Sequence, residues 1–584
     1  MILENIKSPS DVKKLDVEQL DTLAKEIRKA LIDKLSARGG HAGSNLGMVE
    51  ATIALHYVFD SPKDKIVFDV SHQSYAHKML TGRESAFTDP AKYNDVSGYT
   101  EPSESVHDWF MVGHTSTSIS LALGLAKARD IRGESDNVIA VIGDGSLSGG
   151  EAFEGLDNAG EYGTNLIIVF NDNEMSIAEN HGGLYRSLAK LRESRGLDGD
   201  NYFKALGLDY MYVEKGNDIQ DLIRAFKAVK GSTHPVVVHI HTLKGKGYRW
   251  AELEKEKFHW IMPFDIPTGE LTVHPTGESY SEIIGEYLMR KIHENPDLVV
   301  IHSAVPAGIG FGPERRKEAG KQYVDVGIAE EHAVAFASGL ARGGARPVYS
   351  THSTFIQRTY DQLSQDLCAN NNPAVIMVTM AGADGMNDTT HLCIFDIPMM
   401  SNIPNLVYLA PTCKQEYYAM MDWAIAQTAH PVAVRVPSTV TSCPNAVFDT
   451  DYSSLNTYKT VRKGSNVAII GLGDFLFLAQ QVASLLEREG IEPTIVNPRF
   501  ITGLDKDLLD SLKESHDLVV TLENGVLAGG FGEKIAAYYG LSDMKVLCKG
   551  LKKEFYDRIP YKTLAEKNRL TPELIAEDIL TIVR

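Results

Sequence analysis

Two strand-ending turns carry oxygen ligands suited to a hard cation. Gly143-Asp144-Gly145-Ser146 closes the apolar run VIAVIG, and Asn171-Asp172-Asn173 closes NLIIVFN one β-α-β crossover later. Adjacent parallel strands bring both C-terminal ends to one sheet edge, where α/β folds bind ligands. The Asp144 carboxylate and the Asn173 amide oxygen are hard donors of the kind Mg²⁺ takes, usually with substrate phosphates completing the shell. The glycines let the backbone approach a diphosphate closely. The helix expected from about Gly149 turns its positive end to the same place. Either turn alone reads as an ordinary strand end; the pair at this spacing favours a site for a cation and a diphosphate.

Other residues could move protons. His41 (RGGHAGSNLG), His72 and His77 (DVSHQSYAHKMLTGR), His114 (VGHTSTSIS), His259 (EKFHW) and His391 (NDTTHLCIFD) lie beside Gly-rich or Ser-rich turns. A neutral imidazole shuttles protons near neutral pH and can donate to a developing carbanion. A lone histidine is more often structural; several on strand-ending loops point to a site. Glu330 sits in DVGIAEEHAVAFASGLA, a run of small residues in which a buried carboxyl is costly without a partner. Its plainer reading is a helix N-terminal acid favoured by the dipole. Phe355, in HSTFIQRTYDQL, reads by itself as plain core packing.

The elements that must position these groups alternate between helix and strand. Residues 16–36 repeat apolar positions at three and four, as an amphipathic helix does. VIAVIG (138–143), NLIIVFN (165–171) and PVVVHIHT (235–242) are short β-branched runs of the kind buried in parallel sheets. A second block from about 278 holds LVVIHSA (298–304), RPVYS (346–350), AVIMVTMAG (374–382) and PVAVRVP (431–437). A third, after 455, holds NVAIIGLG, EPTIVNPRF and DLVVTLEN. Residues 260–277, with three prolines, read as a linker. The fold class is α/β, as three successive doubly wound domains: 1–265, 278–445 and 455–584. The third shows no catalytic constellation, and LENGVLAGGFG (522–532) reads as a packing segment.

Composition sets the bounds. The 584 residues include 58 Lys and Arg against 77 Asp and Glu, a net charge of −19, which argues against nucleic acid as the main partner. None of the five cysteines forms a CxxC pair, so neither a zinc site nor a disulfide framework is indicated. The polar N-terminus does not read as a signal peptide, and no apolar run reaches the ~18 residues needed to span a bilayer. The expectation is a cytoplasmic protein without membrane contact.

The pairing of Asp144 with Asn173 resembles the diphosphate-binding motif of thiamine-diphosphate enzymes. That resemblance implies Mg²⁺ held by Asp144, Asn173 and the main-chain carbonyl of Met175. It also implies a catalytic role for Glu330, held close to N1′ of the aminopyrimidine, with Phe355 stacked on that ring. The runs HAGSNLGMVEATIALHYVF, DVSHQSYAHKMLTGR, GHTSTSISLALGLA, GDGSLSGGEAFEGLDNAG, NDNEMSIAEN, HTLKGKGY and FHWIMPFD are similar to the 1-deoxy-D-xylulose-5-phosphate synthase family specifically, over nearly the whole chain. That family condenses pyruvate with glyceraldehyde 3-phosphate, losing CO2, and works as a homodimer with its site between the first two domains. Transferred by motif, the resemblance makes the three blocks a diphosphate domain, a pyrimidine domain and a C-terminal transketolase-type domain. It places His41 and His72 facing the reacting carbons, and Gly113, His114, Thr115, Ser116, Gly143, Gly145 and Ser146 near the diphosphate. It places Ile177 near the thiazolium, Lys244 and His259 as lining groups, and His391 on the substrate side. Isoprenoid and thiamine biosynthesis are the pathways implied.

Departures from the family fall on the acceptor side. Its D-R-A-G run is Thr379-Met380-Ala381-Gly382 here, and its Y-P-R-G run is Val436-Pro437-Ser438-Thr439. Met380 and Ser438 thus replace the two arginines that hold the acceptor phosphate in the family. His352 replaces a tyrosine, and Met386-Asn387-Asp388 adds an acid before His391. Two charge-assisted contacts at ~1.5–3 kcal/mol each would be lost unless another group, such as Arg358, Lys244 or Arg435, replaces them. The expectation is normal donor chemistry with an altered aldehyde acceptor. The alternative is a transketolase-like enzyme taking a ketose donor. Retention of Asp144, Asn173, Glu330 and His72 speaks against a non-catalytic scaffold.

Overall fold

The computed structural model describes every residue except Pro275 and Asn387. The chain forms two compact units, Met1–Thr276 with Gly327–Ala329, and Gly277–Val326 with Glu330–Arg584. Among the described residues, no helix is long and apolar enough to cross a membrane.

The first unit is built on a parallel sheet: β1 (Lys65–Phe68), β2 (Val138–Gly143), β3 (Ile167–Asp172), β4 (Asp209–Val213) and β5 (Val236–His241), in the order β1-β2-β3-β5-β4. β2 and β3 lie at its centre with Ile139, Ala140, Val141 and Ile167–Phe170 fully buried, as strands covered on both faces must be. The helix Val17–Arg38 begins with a capping box. Asp16 accepts from the Gln19 N–H at 2.9 Å, and the Gln19 side chain accepts from the Asp16 N–H at 2.9 Å. It stops at Gly39, whose φ of +77° leaves the helical region. The stretch expected as a linker is folded onto this unit at least as far as Leu271. Ile261 bridges Gly40, Phe264 bridges Leu271, and Ile261 and Phe264 are buried beside Tyr248 and Phe258. Those apolar side chains outweigh the proline signal.

The second unit carries two sheets. β6 (Leu298–His302), β7 (Tyr323–Asp325), β8 (Arg346–His352), β9 (Val375–Ala381), β10 (Val407–Leu409) and β11 (Val432–Pro437) are all parallel, in the order β10-β11-β9-β8-β6-β7. β12 (Lys459–Arg462), β13 (Asn466–Gly471), β14 (Thr494–Asn497), β15 (His516–Val526) and β16 (Lys545–Leu551) run β12-β14-β13-β15-β16. β12 is antiparallel to β14, an edge strand that the apolar pattern of the sequence does not show. One apolar cluster joins residues of both sheets, from Ile376 and Tyr408 to Ile470 and Val519.

Candidate active site

In the first unit the segments after β1, β2, β3 and β5 supply Asp69 and His72, Asp144, Asn173 and Lys244, and loops beside helices supply His41, Gly113–Ser116 and His259. Asp144 opens a one-turn helix, Asp144–Leu147, placed before the longer helix Gly150–Tyr162. Its carboxylate is buried and accepts from Asn180 Nδ2 at 2.7 Å, and its carbonyl accepts from the Tyr185 hydroxyl at 2.9 Å. Burial, then the charge of Asp172, pushes the Asp144 carboxyl up to about 7. Asn173 is 9% exposed, and its Oδ1 is buried with no hydrogen-bond partner among the described residues. A desolvated carboxylate and an orphaned amide oxygen form a donor set that a hard cation would satisfy, so these residues fit Mg²⁺. A Cβ on Gly143 would meet nothing within 4 Å, leaving open space at the strand end, whereas one on Gly145 would strike Ser176 Oγ at 2.6 Å. Asp172 turns away into a structural role: it pairs with Arg192 at 2.6 Å and His239 at 3.0 Å and anchors the loop bearing Asn173. Met175 and Ile177 are half-buried in that loop.

Three of the sequence-nominated histidines converge. His41 and His72 have ring centroids 4.9 Å apart, His41 and His259 5.6 Å, and His72 and His259 5.3 Å. Ser44 Oγ lies 3.0 Å from His72 Nε2. Lys244, just beyond β5, donates to the Ser176 carbonyl and stands 3.3 Å from His259 Nδ1. Burial pushes the Lys244 ammonium down to about 8, with Asp144 opposing. Burial, then the Lys244 charge, holds His259 well below the ordinary imidazole range. An ammonium can only donate, so Nδ1 of the neutral His259 is the acceptor and Nε2 carries the proton. His77 does not join this group; it is buried between His56 and Asp108, each at 2.9 Å.

The segment Gly113–Ser116 is held by a residue that sequence reading missed. Asp69, directly after β1 and fully buried, accepts from the N–H groups of Ser116 (2.8 Å) and Ser118 (2.9 Å). Ser116, at φ +76°, donates its hydroxyl to the Ser146 carbonyl at 2.7 Å. Val70 and Ser71 also have positive φ, +57° and +59°. A β-branched residue there is strained and persists only where its surroundings over-determine it. The acidic residue that ends KIVF was the available signal. Gly113 is buried, and His114 and Thr115 are half-buried.

In the second unit, Glu330 begins the helix Glu330–Arg342, yet it is not a solvated cap: it is 4% exposed, and its Oε2 has no hydrogen-bond partner among the described residues. Burial pushes its carboxyl up to about 7 against the opposing charge of Arg358. Phe355 has His352 stacked at 5.8 Å and His391 edge-on at 5.7 Å. His352 Nδ1 is 2.8 Å from Thr379 Oγ1, and His391 Nδ1 lies 2.8 Å from Thr390 Oγ1 and 3.3 Å from Asp388 Oδ1.

On the acceptor side, Met380, the last residue but one of β9, has φ +57°, and the Ser438 hydroxyl is buried with no partner among the described residues. Asn387 lies outside the described residues. Arg435 does not compensate for the missing arginines. It is 4% exposed and bonded through Nε to Asp396 Oδ2 (2.6 Å) and through Nη2 to the Asn524 carbonyl (2.7 Å). The run 522–532 packs as expected. Asn524 Oδ1 accepts from the Ala383 N–H at 2.8 Å, and Glu523 accepts from the N–H groups of Phe531 (2.9 Å) and Gly532 (2.8 Å).

Family models match in sequence order: 1-deoxy-D-xylulose-5-phosphate synthase over residues 3–199, the transketolase pyrimidine binding domain over 277–441, and the transketolase C-terminal domain over 456–575. A 1-deoxy-D-xylulose-5-phosphate synthase of Halothermothrix orenii is 38% identical over 100% of this chain and 97% of its own. One of Carboxydothermus hydrogenoformans is 40% identical over 95% and 94%. Among solved structures, a transketolase mutant from Pichia stipitis covers 97% of each chain at 16% identity, with a TM-score of 0.45 that carries no weight. The full-length identity to these synthases and the ordered domain matches place the chain in the 1-deoxy-D-xylulose-5-phosphate synthase family of thiamine-diphosphate-dependent transferases.

Proposed function

We propose that this protein decarboxylates pyruvate and joins the remaining two-carbon unit to an aldehyde, with thiamine diphosphate and Mg²⁺ as cofactors. The observation that carries this reading is the desolvated Asp144 carboxylate on the same sheet edge as the orphaned Asn173 oxygen. Thiamine diphosphate, when bound, supplies the electron sink for decarboxylation. Asp144, Asn173 and the Met175 carbonyl would hold Mg²⁺. Gly113, His114, Thr115, Ser116, Gly143, Gly145 and Ser146 would receive the diphosphate, and Ile177 the thiazolium. Glu330, with a carboxyl proton retained to about pH 7, can hold a hydrogen bond to a ring nitrogen that a solvated glutamate could not. His41, His72 and His259 are assigned to donating protons to the substrate carbonyl and its carbanion. Lys244 fixes the His259 tautomer, and Phe355 and His391 line the substrate. The domains are taken as 1–265, 278–445 and 455–584, in a cytoplasmic homodimer.

The acceptor is an aldehyde whose recognition does not use arginines at positions 380 and 438. The test is purified protein with both cofactors, pyruvate, and a panel of phosphorylated and unphosphorylated aldehydes. CO2 release matched to ketose formation supports the proposal. Turnover of a ketose donor with no use of pyruvate would replace it with the transketolase reading. Efficient use of glyceraldehyde 3-phosphate at micromolar KM would refute an altered acceptor.

A further inference from the structure

Asn45 is hydrogen-bonded through its amide nitrogen to the backbone of residues assigned to the chemistry, and through its amide oxygen to the backbone just after His72. It is 1% exposed, in the short turn Gly43–Gly47. Its Nδ2 donates to the His41 carbonyl at 2.7 Å and to the His72 carbonyl at 2.7 Å, and its Oδ1 accepts from the Tyr75 N–H at 3.0 Å. The same turn is bonded to the loops that bear Lys244 and His259. Gly43 N–H donates to the Phe258 carbonyl at 2.7 Å, and the Gly245 N–H donates to the Gly43 carbonyl at 2.9 Å. The loops bearing His41 and His72 are distant in sequence, and the His72 loop follows the strained pair Val70–Ser71.

We propose that Asn45 is a positioning residue that sets the separation of the His41 and His72 imidazoles by clamping the two backbones from which they spring. The proposal rests on the reading of His41 and His72 given above. Asparagine is the residue that meets the demand. Two donors from one nitrogen and one acceptor are required within a short reach. Aspartate offers no donor, serine offers one, and glutamine adds a methylene in a fully buried space.

The experiment is a double-mutant cycle on the cofactor-loaded enzyme using Asn45→Ser, Asn45→Asp and His72→Ala. Each Asn45 substitution should lower kcat about 10–100-fold, the scale of an ångström-sized misplacement, with thiamine-diphosphate affinity nearly unchanged. Combined with His72→Ala, either should cost far less than it does alone, because only the placement of His41 is then left to lose. Losses that multiply in the double variant would overturn the positioning role while leaving His72 in place. A fully active His72→Ala enzyme would overturn the reading beneath it. If Asn45→Ser fails to fold, the isosteric Asn45→Asp carries the same cycle.

Discussion

Replacing Glu330 by glutamine separates the cost of its burial from its use. The carboxyl has its pKa at about 7 in the folded protein against 4.5 for the ordinary group. The folded state therefore holds the proton more tightly than the unfolded chain does. Stability is unaffected by this group below about pH 4.5 and falls as pH rises from there to about 7, above which the loss has reached its full size and stays constant. Two and a half pH units at ~1.36 kcal/mol each give about 3 kcal/mol at pH 8. Glutamine has nothing to ionise. The cofactor-free Glu330→Gln protein should thus exceed the parent by about 3 kcal/mol at pH 8, and by under about 1 kcal/mol at pH 5. For a unit of this size, that is roughly 5 °C in the second unit's melting temperature at pH 8. Calorimetry at the two pH values reads it directly. The same variant, loaded with cofactor, should lose activity by about a hundredfold or more, because it cannot exchange the proton. A melting difference that does not change with pH would refute the desolvation argument, and retained activity would remove Glu330 from the chemistry.

Other perturbations have definite outcomes. Asp144→Asn should abolish the Mg²⁺-dependent part of thiamine-diphosphate binding, measured by calorimetric titration with and without the metal; unchanged affinity would exclude Asp144 as a ligand. Lys244→Met removes the cation beside His259, so the His259 imidazole should titrate closer to its ordinary range in NMR of ¹³C-labelled histidine, with a weakened response to pyruvate; an unmoved resonance would show that burial alone sets it. Arg435→Met leaves Asp396 buried without its partner and should cost about 3–5 kcal/mol, seen as a lowered melting temperature of the second unit.

The sequence disclosed what depends on local pattern. Runs such as VIAVIG and PVAVRVP form buried strands because nothing but a covered sheet accommodates them, and the residues 16–36 periodicity forms the helix Val17–Arg38. Asp144 and Asn173 share an edge because one crossover joins their strands. The meeting of His41, His72 and His259 was legible only through the family resemblance, since periodicity and spacing do not show how loops distant in sequence cross one turn. The roles of Asp69 and Asn45 were hidden for the same reason: their partners are backbone groups, which leave no mark in residue identity. Arg435 shows the converse, since its type suggested a phosphate ligand and only its neighbours reveal an internal ion pair.

That ion pair governs how the molecule comes apart. In a doubly wound sheet, the crevice beyond the strand ends is where a ligand would lodge. Near the C-terminal ends of β13 and β15 stands the Arg435 guanidinium, bonded to the Asn524 carbonyl and 4.0 Å from Asp474. Severing residues 455–584 would leave Arg435 and Asp396 stranded on one fragment and bare Asn524 on the other. The C-terminal sheet is accordingly a permanent tenant of its neighbour: the two should melt in a single transition, and a truncated chain ending near residue 450 should be insoluble rather than merely less active.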